Sequence, residues 1–392
     1  MQFNTKYSLA FLFSCSISIA LKLENCTIEK KKNLGACMIN RDVVCNITED
    51  YVKVHGLNEN AILGKNDELP KFEDAKHLIL ENITVNGDFP KITYRNITLR
   101  YIQGVNLKKE FVSYYSNVKE FEMLILDSHF NGSTYVYSEN DREHAFFVKA
   151  RNIKITAYRS SYQNFNNCRS IFHLDKQHSI ELIFRNNLFK DNVLKGSVID
   201  IFSYGGFLYR KDLITFEGNV VKNNSALPNV NLIDLQIDFG TLDILNNTFT
   251  LNAAMSIWHV LNENKLNLEI SVANNTLTSN KGDYGMQLYG KTVRIANETY
   301  TNNEFLNYYS LSDNAMITNS EFQMFNVYNS TECPFMSTSD LANSQLNNVK
   351  LFFKEKKTQT FVHKLCIGNF KVSGITLKVK EKEIKCPLCG FI

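Results

Sequence analysis

Ile244-Leu-Asn-Asn-Thr-Phe-Thr-Leu-Asn252 is the stretch that decides the fold. Its pattern recurs as Phe184-Arg-Asn-Asn-Leu-Phe-Lys-Asp-Asn192, Phe216-Glu-Gly-Asn-Val-Val-Lys-Asn-Asn224, Val272-Ala-Asn-Asn-Thr-Leu-Thr-Ser-Asn280 and Ile295-Ala-Asn-Glu-Thr-Tyr-Thr-Asn-Asn303. A worn copy follows, Ile317-Thr-Asn-Ser-Glu-Phe-Gln-Met-Phe325, and the spacing falls from 32 to 22 residues along the series. Two polar columns emerge from the alignment. One holds Asn187, Asn219, Asn247 and Asn275, then Glu298 and Ser320; the other holds Asn192, Asn224, Asn252, Asn280 and Asn303. Repeats of this length signal a stacked architecture, in which each unit buries its apolar face only against its neighbours.

Within each copy the apolar residues alternate with polar ones, as in Leu242-Asp-Ile244 and Leu268-Glu-Ile270. A two-residue period is that of a strand. Short strands punctuated by asparagine suit a coil with several sides. Asparagine tolerates the left-handed backbone of a sharp corner. Stacked on its counterpart one coil away, its amide can donate and accept along the stack, satisfying polar groups the corner would otherwise leave unpaired. Weaker copies around Asp127-Ser-His-Phe130 and Ser160-Ser-Tyr162 extend the series backwards, and Leu78-Ile-Leu-Glu-Asn-Ile-Thr84 and Ile92-Thr-Tyr-Arg-Asn-Ile-Thr98 read as its first coils. The expected class is all-β, a right-handed parallel β-helix of about 10 coils. The regular leucine spacing of leucine-rich repeats is absent.

Phe189-Lys-Asp-Asn192 and Phe249-Thr-Leu-Asn252, with Leu277-Thr-Ser-Asn280 and Tyr300-Thr-Asn-Asn303 as variants, form a Phe-X-X-Asn motif. On it the chain resembles right-handed parallel β-helix proteins of secreted or surface type, whose fold is pectin lyase-like. The likeness covers about Leu78 to Ser344. Polymorphic bacterial surface adhesins with such repeats also carry a Gly-Gly-Ala motif, which is missing here. The resemblance implies a fold far more specifically than a function.

The flanks read differently. Residues 1–20 hold one lysine, then an apolar run closing on Ser18-Ile-Ala20, the pattern of a cleaved signal peptide. Residues 21–74 form a polar region with Cys26, Cys37 and Cys45; residues 75–345 are the β-helix; residues 346–392 read as strands closing on Cys386-Pro-Leu-Cys389. Because a stack of strands exposes a bare edge at each end, the two cysteine-bearing regions are expected to be caps. With Cys168, Cys333 and Cys366 they supply the disulfide candidates of an oxidising compartment. A zinc knuckle at Cys386 and Cys389 would need a second pair of ligands. Asn-X-Ser/Thr triplets stand at Asn25, Asn46, Asn82, Asn96, Asn131, Asn223, Asn246, Asn274, Asn297 and Asn329, pointing to a secreted or surface-held glycoprotein. No second run is long and apolar enough to span a membrane, so no membrane span is expected. A net charge of +3, with both signs interspersed, offers no footprint for nucleic acid.

Chemistry is sparse. No Gly-X-Ser-X-Gly, His-Glu-X-X-His or phosphate-binding glycine loop occurs, and no cofactor is expected. The Asn-Thr-Asp, Gly-His-Gly and Arg-X-Lys signatures of polygalacturonases are also missing. One further column stands out. Twelve to fifteen residues after each Asn corner comes an apolar–polar–apolar triplet centred on His173, Asp200, Asp234, His259 and Gln287. With the flanking residues inward, these five point out in neighbouring strands about 4.8 Å apart. Two carboxylates that close match the separation used by retaining glycosidases, and mutual repulsion would raise one of their pKa values. Alternatively, a divalent ion could bridge them. A solvated sheet face bearing cross-strand His–Asp pairs is the plainer reading. The expectation is therefore a non-enzymatic structural, adhesion or ligand-binding protein whose partner is an extracellular protein or carbohydrate. The alternative is a polysaccharide lyase or hydrolase with His173, Asp200, Asp234 and His259 as its catalytic group.

Overall fold

The computed structural model describes residues 35–48, 50–69, 77–135, 144–203, 211–237, 239–262, 267–311, 314–324, 336–338, 344–353, 371–373, 376–379 and 382–384. The described residues contain strands and no helix. Thirty-three strands join in one hydrogen-bonded system, 33-stranded and almost wholly parallel.

Each sequence repeat contributes a strand to three separate stacks. The first runs through Asp212–Glu217, Gly240–Leu245, Leu268–Ala273 and Thr292–Ala296. The second runs through Leu188–Lys190, Val220–Lys222, Thr248–Thr250 and Thr276–Thr278. The third runs through Ile199–Ser203, Ile233–Gln236, Ser256–Leu261 and Lys281–Leu288. Every strand pairs in parallel with the equivalent strand of the next repeat, in the register the sequence alignment predicts: Ile244 faces Val272, Phe249 faces Leu277 and Trp258 faces Met286. The alternation is obeyed. Leu242, Ile244, Phe249, Leu268, Ile270 and Leu277 are buried, and Trp258 is among the largest fully buried side chains. Aromatic rings continue the packing from repeat to repeat, with Tyr162 stacked on both Phe130 and Phe189.

The corner between the first two stacks divides its work between two adjacent residues, where sequence reasoning gave both tasks to one asparagine. The left-handed residue comes first: Asn186, Gly218, Asn246, Asn274 and Asn297, with φ of 55°, 65°, 57°, 58° and 56°. The buried amide comes second: Asn187, Asn219, Asn247 and Asn275. Asn247 shows the pattern. Its Nδ2 donates to the carbonyl of Phe216 one repeat back at 2.7 Å and to Oδ1 of Asn275 one repeat on at 3.0 Å. Its own Oδ1 accepts from the backbone N–H and the Nδ2 of Asn219 at 2.8 and 3.1 Å. Only a group that donates and accepts can continue such a row. The row begins in the weak copies, where Ser128 donates its N–H to Ser160 Oγ and Ser160 donates to Asn187 Oδ1. It ends through Glu298, whose N–H reaches Ser320 Oγ at 3.1 Å. A second ladder, Asn192, Asn224, Asn252, Asn280 and Asn303, lines the next corner with the same bonds. The third corner has charges instead at one level: buried Lys176 pairs with Asp212, whose other oxygen accepts the N–H of Ile180 at 2.9 Å.

Antiparallel strands occur at both ends of the parallel system. Val43–Ile47 lies antiparallel to Tyr51–Gly56, which then pairs in parallel with His77–Asn86. At the other end Thr376–Val379 carries Lys382–Ile384 antiparallel. Parallel stacking extends past the boundary at residue 346: Lys350–Phe353 pairs with Glu321–Met324 behind it and with Thr376–Val379 ahead.

Candidate functional site

The outward column assembles in the expected register. Phe147 lies beside His173, His173 beside Asp200, Asp200 beside Asp234, Asp234 beside His259, and His259 beside Gln287. Their apolar neighbours Phe172, Leu174, Ile199, Ile201, Ile233, Leu235, Trp258 and Val260 are all buried, which turns His173, Asp200, Asp234 and His259 outward, whereas Gln287, expected outward with them, is buried, as is Phe147.

What the register alone does not show is the pairing. Nδ1 of His173 meets Oδ2 of Asp200 at 2.8 Å, and Nδ1 of His259 meets Oδ1 of Asp234 at 2.7 Å. An ionised carboxylate only accepts, so each Nδ1 carries the proton and each Nε2 is left to the outside. The four residues therefore form two His–Asp pairs back to back, acids inward and imidazoles at the ends. The carboxylates are neither deeply buried nor free: their side chains keep 23% and 36% of their exposure.

A second polar row, three residues before each column member, was not singled out from sequence. It holds His144, Ser170, Ser197, Asn231 and Ser256, all buried. Nδ2 of Asn231 donates to the second oxygen of Asp234 at 3.0 Å, and Ser256 Oγ donates to Oδ1 of Asn231 at 2.5 Å. Asp234 is thus held on two sides, by His259 and Asn231. On the other flank His144 stacks on His173 with ring centres 4.3 Å apart, and Phe147 stacks on the same ring at 5.5 Å. A polar residue two places before each triplet was the available signal. Farther along, Tyr289 and Ser310 share a hydrogen bond at 2.7 Å beside Gln287.

Two surface depressions are formed by other residues. One of about 370 Å³ is lined by Ala226, Pro228, Ala254, Gly282, Phe305 and Leu306 at the corner after the second ladder. Another, of about 360 Å³, is lined by Arg95, Glu122, Lys154, Glu181 and Lys211 on the first stack. Neither includes a column residue. Among the described residues no group of three or more His, Cys, Asp or Glu side chains could hold a metal ion.

The remaining sequence sites fall as follows. Asn46, Asn82, Asn131, Asn223, Asn246, Asn274 and Asn297 are exposed, and Asn96 is half-buried. Asn25 and Asn329 lie outside the described residues, as do residues 1–34 and Cys26, Cys333, Cys366, Cys386 and Cys389. Cys45 is buried in the N-terminal strand pair. Cys168, counted among the disulfide candidates, is buried and forms no disulfide; its Sγ donates to the carbonyl of Ser170 at 3.1 Å. It sits mid-stack between Asn166 and Ser170, packed against its own wall, and its reading as half of a disulfide does not hold.

No protein-family model, curated protein or solved structure matches this chain.

Proposed function

We propose that this chain is an extracellular glycoprotein built as a right-handed parallel β-helix with cysteine-bearing caps, and that it binds an extended protein or carbohydrate ligand without catalysing its breakdown. It is secreted, or held at the surface by a partner. The apolar leader and the Asn-X-Ser/Thr triplets support the compartment, and the parallel stacks with antiparallel strands at their ends support the architecture.

The observation that carries the choice of binding over catalysis is the pairing within the column. A retaining glycosidase needs one carboxylate free as nucleophile and a second held as acid, across a gap that admits the sugar. Here each carboxylate accepts a hydrogen bond from its own imidazole. Asp234 is further tied by Asn231. What the face offers is a flat row of acceptors and donors in neighbouring strands, suited to the hydroxyls or backbone groups of a ligand lying along the stack.

The catalytic reading keeps one observation in its favour: Asp200 and Asp234 occupy adjacent strands, at a separation of about 4.8 Å. The experiment uses the secreted protein on immobilised acidic and neutral polysaccharides and on extracellular-matrix proteins, with and without calcium. Binding and product release are measured together. Retention without new chain ends is the expected result. Depolymerisation that disappears in Asp200→Asn/Asp234→Asn would replace binding with catalysis. Retention by none of these ligands would reject the binding reading as stated.

A further inference from the structure

Three successive repeats carry an Asn-X-Thr triplet at the same exposed corner: Asn246, Asn274 and Asn297. The N–H of Asn246 donates to the carbonyl of Ala273, just before Asn274, and the N–H of Asn274 donates to Ala296, just before Asn297. The three side chains therefore leave the corner in register, one strand spacing or about 4.8 Å apart. Each sits on a left-handed residue, with the buried ladder residue next and the triplet's threonine opening the following strand. That geometry turns each acceptor amide outward. Nδ2 of Asn297 donates to Oδ1 of Asn274 at 3.1 Å.

The ends of this row differ from its middle. The residue stacked before Asn246 is Gly218, which has no side chain; its N–H donates to Leu245, just before Asn246. The residue stacked after Asn297 is Asn319, whose Oδ1 accepts from Nδ2 of Asn348 at 2.8 Å, on the far side from Asn297. Asn246 thus has a glycine on its outer flank, and Asn297 has there an asparagine that belongs to no Asn-X-Ser/Thr triplet. Asn274 has an acceptor asparagine on both flanks, and a branched oligosaccharide is far wider than one strand spacing.

We propose that in the folded protein Asn246 and Asn297 carry N-linked oligosaccharide while Asn274 stays unmodified, its side-chain oxygen accepting the one N–H that a modified Asn297 retains. The proposal rests on the reading of the chain as a secreted glycoprotein. In the transfer, Asn Nδ2 forms a bond to the anomeric carbon of a polyprenyl-diphosphate-linked oligosaccharide. The carbon–oxygen bond to the diphosphate breaks, the lipid diphosphate leaves with the electron pair, and one amide proton passes to solvent. Transfer acts on the unfolded chain, so exclusion selects which chains stack their repeats and are secreted.

The test is site-by-site mass spectrometry of the secreted full chain, wild type beside Thr248→Ala/Thr299→Ala. That variant removes both outer triplets and leaves all three corner asparagines in place. The expected wild-type pattern is Asn246 and Asn297 occupied and Asn274 bare, with Asn274 becoming occupied in the variant. Chains modified at Asn274 together with either neighbour overturn the proposal, as does an Asn274 that stays bare in the variant. A bare row beside occupied Asn46 or Asn131 rejects these sites alone. No glycan at any triplet rejects the glycoprotein reading itself.

Discussion

The ladder from Ser128 through Asn187, Asn219, Asn247 and Asn275 to Glu298 and the column from His173 to Gln287 run through the same repeats, each adding one polar side chain per layer. The ladder is buried and almost monotonous; the column is partly exposed from His173 to His259, buried again at Gln287, and mixed in residue type. Inside the corner, each side chain must accept two bonds from the layer before and donate to both sides, and asparagine meets that demand. At the partly exposed His173, Asp200, Asp234 and His259, water satisfies whatever the neighbours do not, so the residue type is less constrained there. Where a repeat keeps one residue type it marks a structural obligation, and where the type varies that obligation is weaker.

The largest effect expected from this contrast is at the ladder's one acid. Glu298 occupies an asparagine position, and its Oε1 accepts the N–H and Nδ2 of Asn275, both at 2.9 Å. Its other oxygen is buried with no hydrogen-bond partner. Burial pushes its carboxyl up to about 8, only partly offset by those two donors. At neutral pH it is therefore a neutral acid, with a hydroxyl where an asparagine would have its amide donor. The folded state holds this proton more tightly than the unfolded chain. Its contribution to stability is complete below about pH 4.5 and is lost as pH rises towards 8, at roughly 1.4 kcal/mol per unit. Glu298→Gln should leave stability at pH 5 nearly unchanged and remove most of that decline, checked by denaturant unfolding from pH 5 to 9. A decline of the same slope in the variant would place the sensitivity elsewhere.

A smaller effect is expected at the second corner. Its left-handed positions hold Asp191, Asn223, Ser279 and Asn302, but Leu251 stands in the same place with φ 58° and an exposed side chain. A leucine gains nothing there and bears the steric penalty of that backbone. Leu251→Asn should stabilise the protein by about 1 kcal/mol, read from the shift in unfolding midpoint. No shift, or a loss, would mean that the side chain packs in a way its exposure conceals.

Much of this was legible in the sequence because buried corners repeat. The strand register, the inward positions of Phe249 and Trp258 and the serine forerunners at Ser128 and Ser160 all followed from aligning Asn columns. The division of labour within Asn-Asn pairs was not noticed, since both residues are the same type. Gly218-Asn219 and Asn297-Glu298 held the clue, because there the left-handed and ladder residues differ. Near the far end the ladder stops at Ser320, and with it the legible pattern, while parallel pairing runs on through Lys350–Phe353. The His–Asp pairings depend on side-chain torsions, which period and spacing do not encode. Cys168 was misread because counting cysteines ignores where each one is packed.

The central claim is that the inner ladder holds the fold while the outer column contributes little to it. The most direct measurement compares the unfolding free energies of Asn247→Ala and Asp234→Ala. Removing Asn247 strips partners from the N–H and Nδ2 of Asn219, the carbonyl of Phe216 and Oδ1 of Asn275, all buried. The predicted loss is about 3 kcal/mol or more. Removing Asp234, a half-exposed partner of His259 and Asn231, should cost no more than about 1 kcal/mol. Equal losses, or the larger loss at Asp234, would contradict the account.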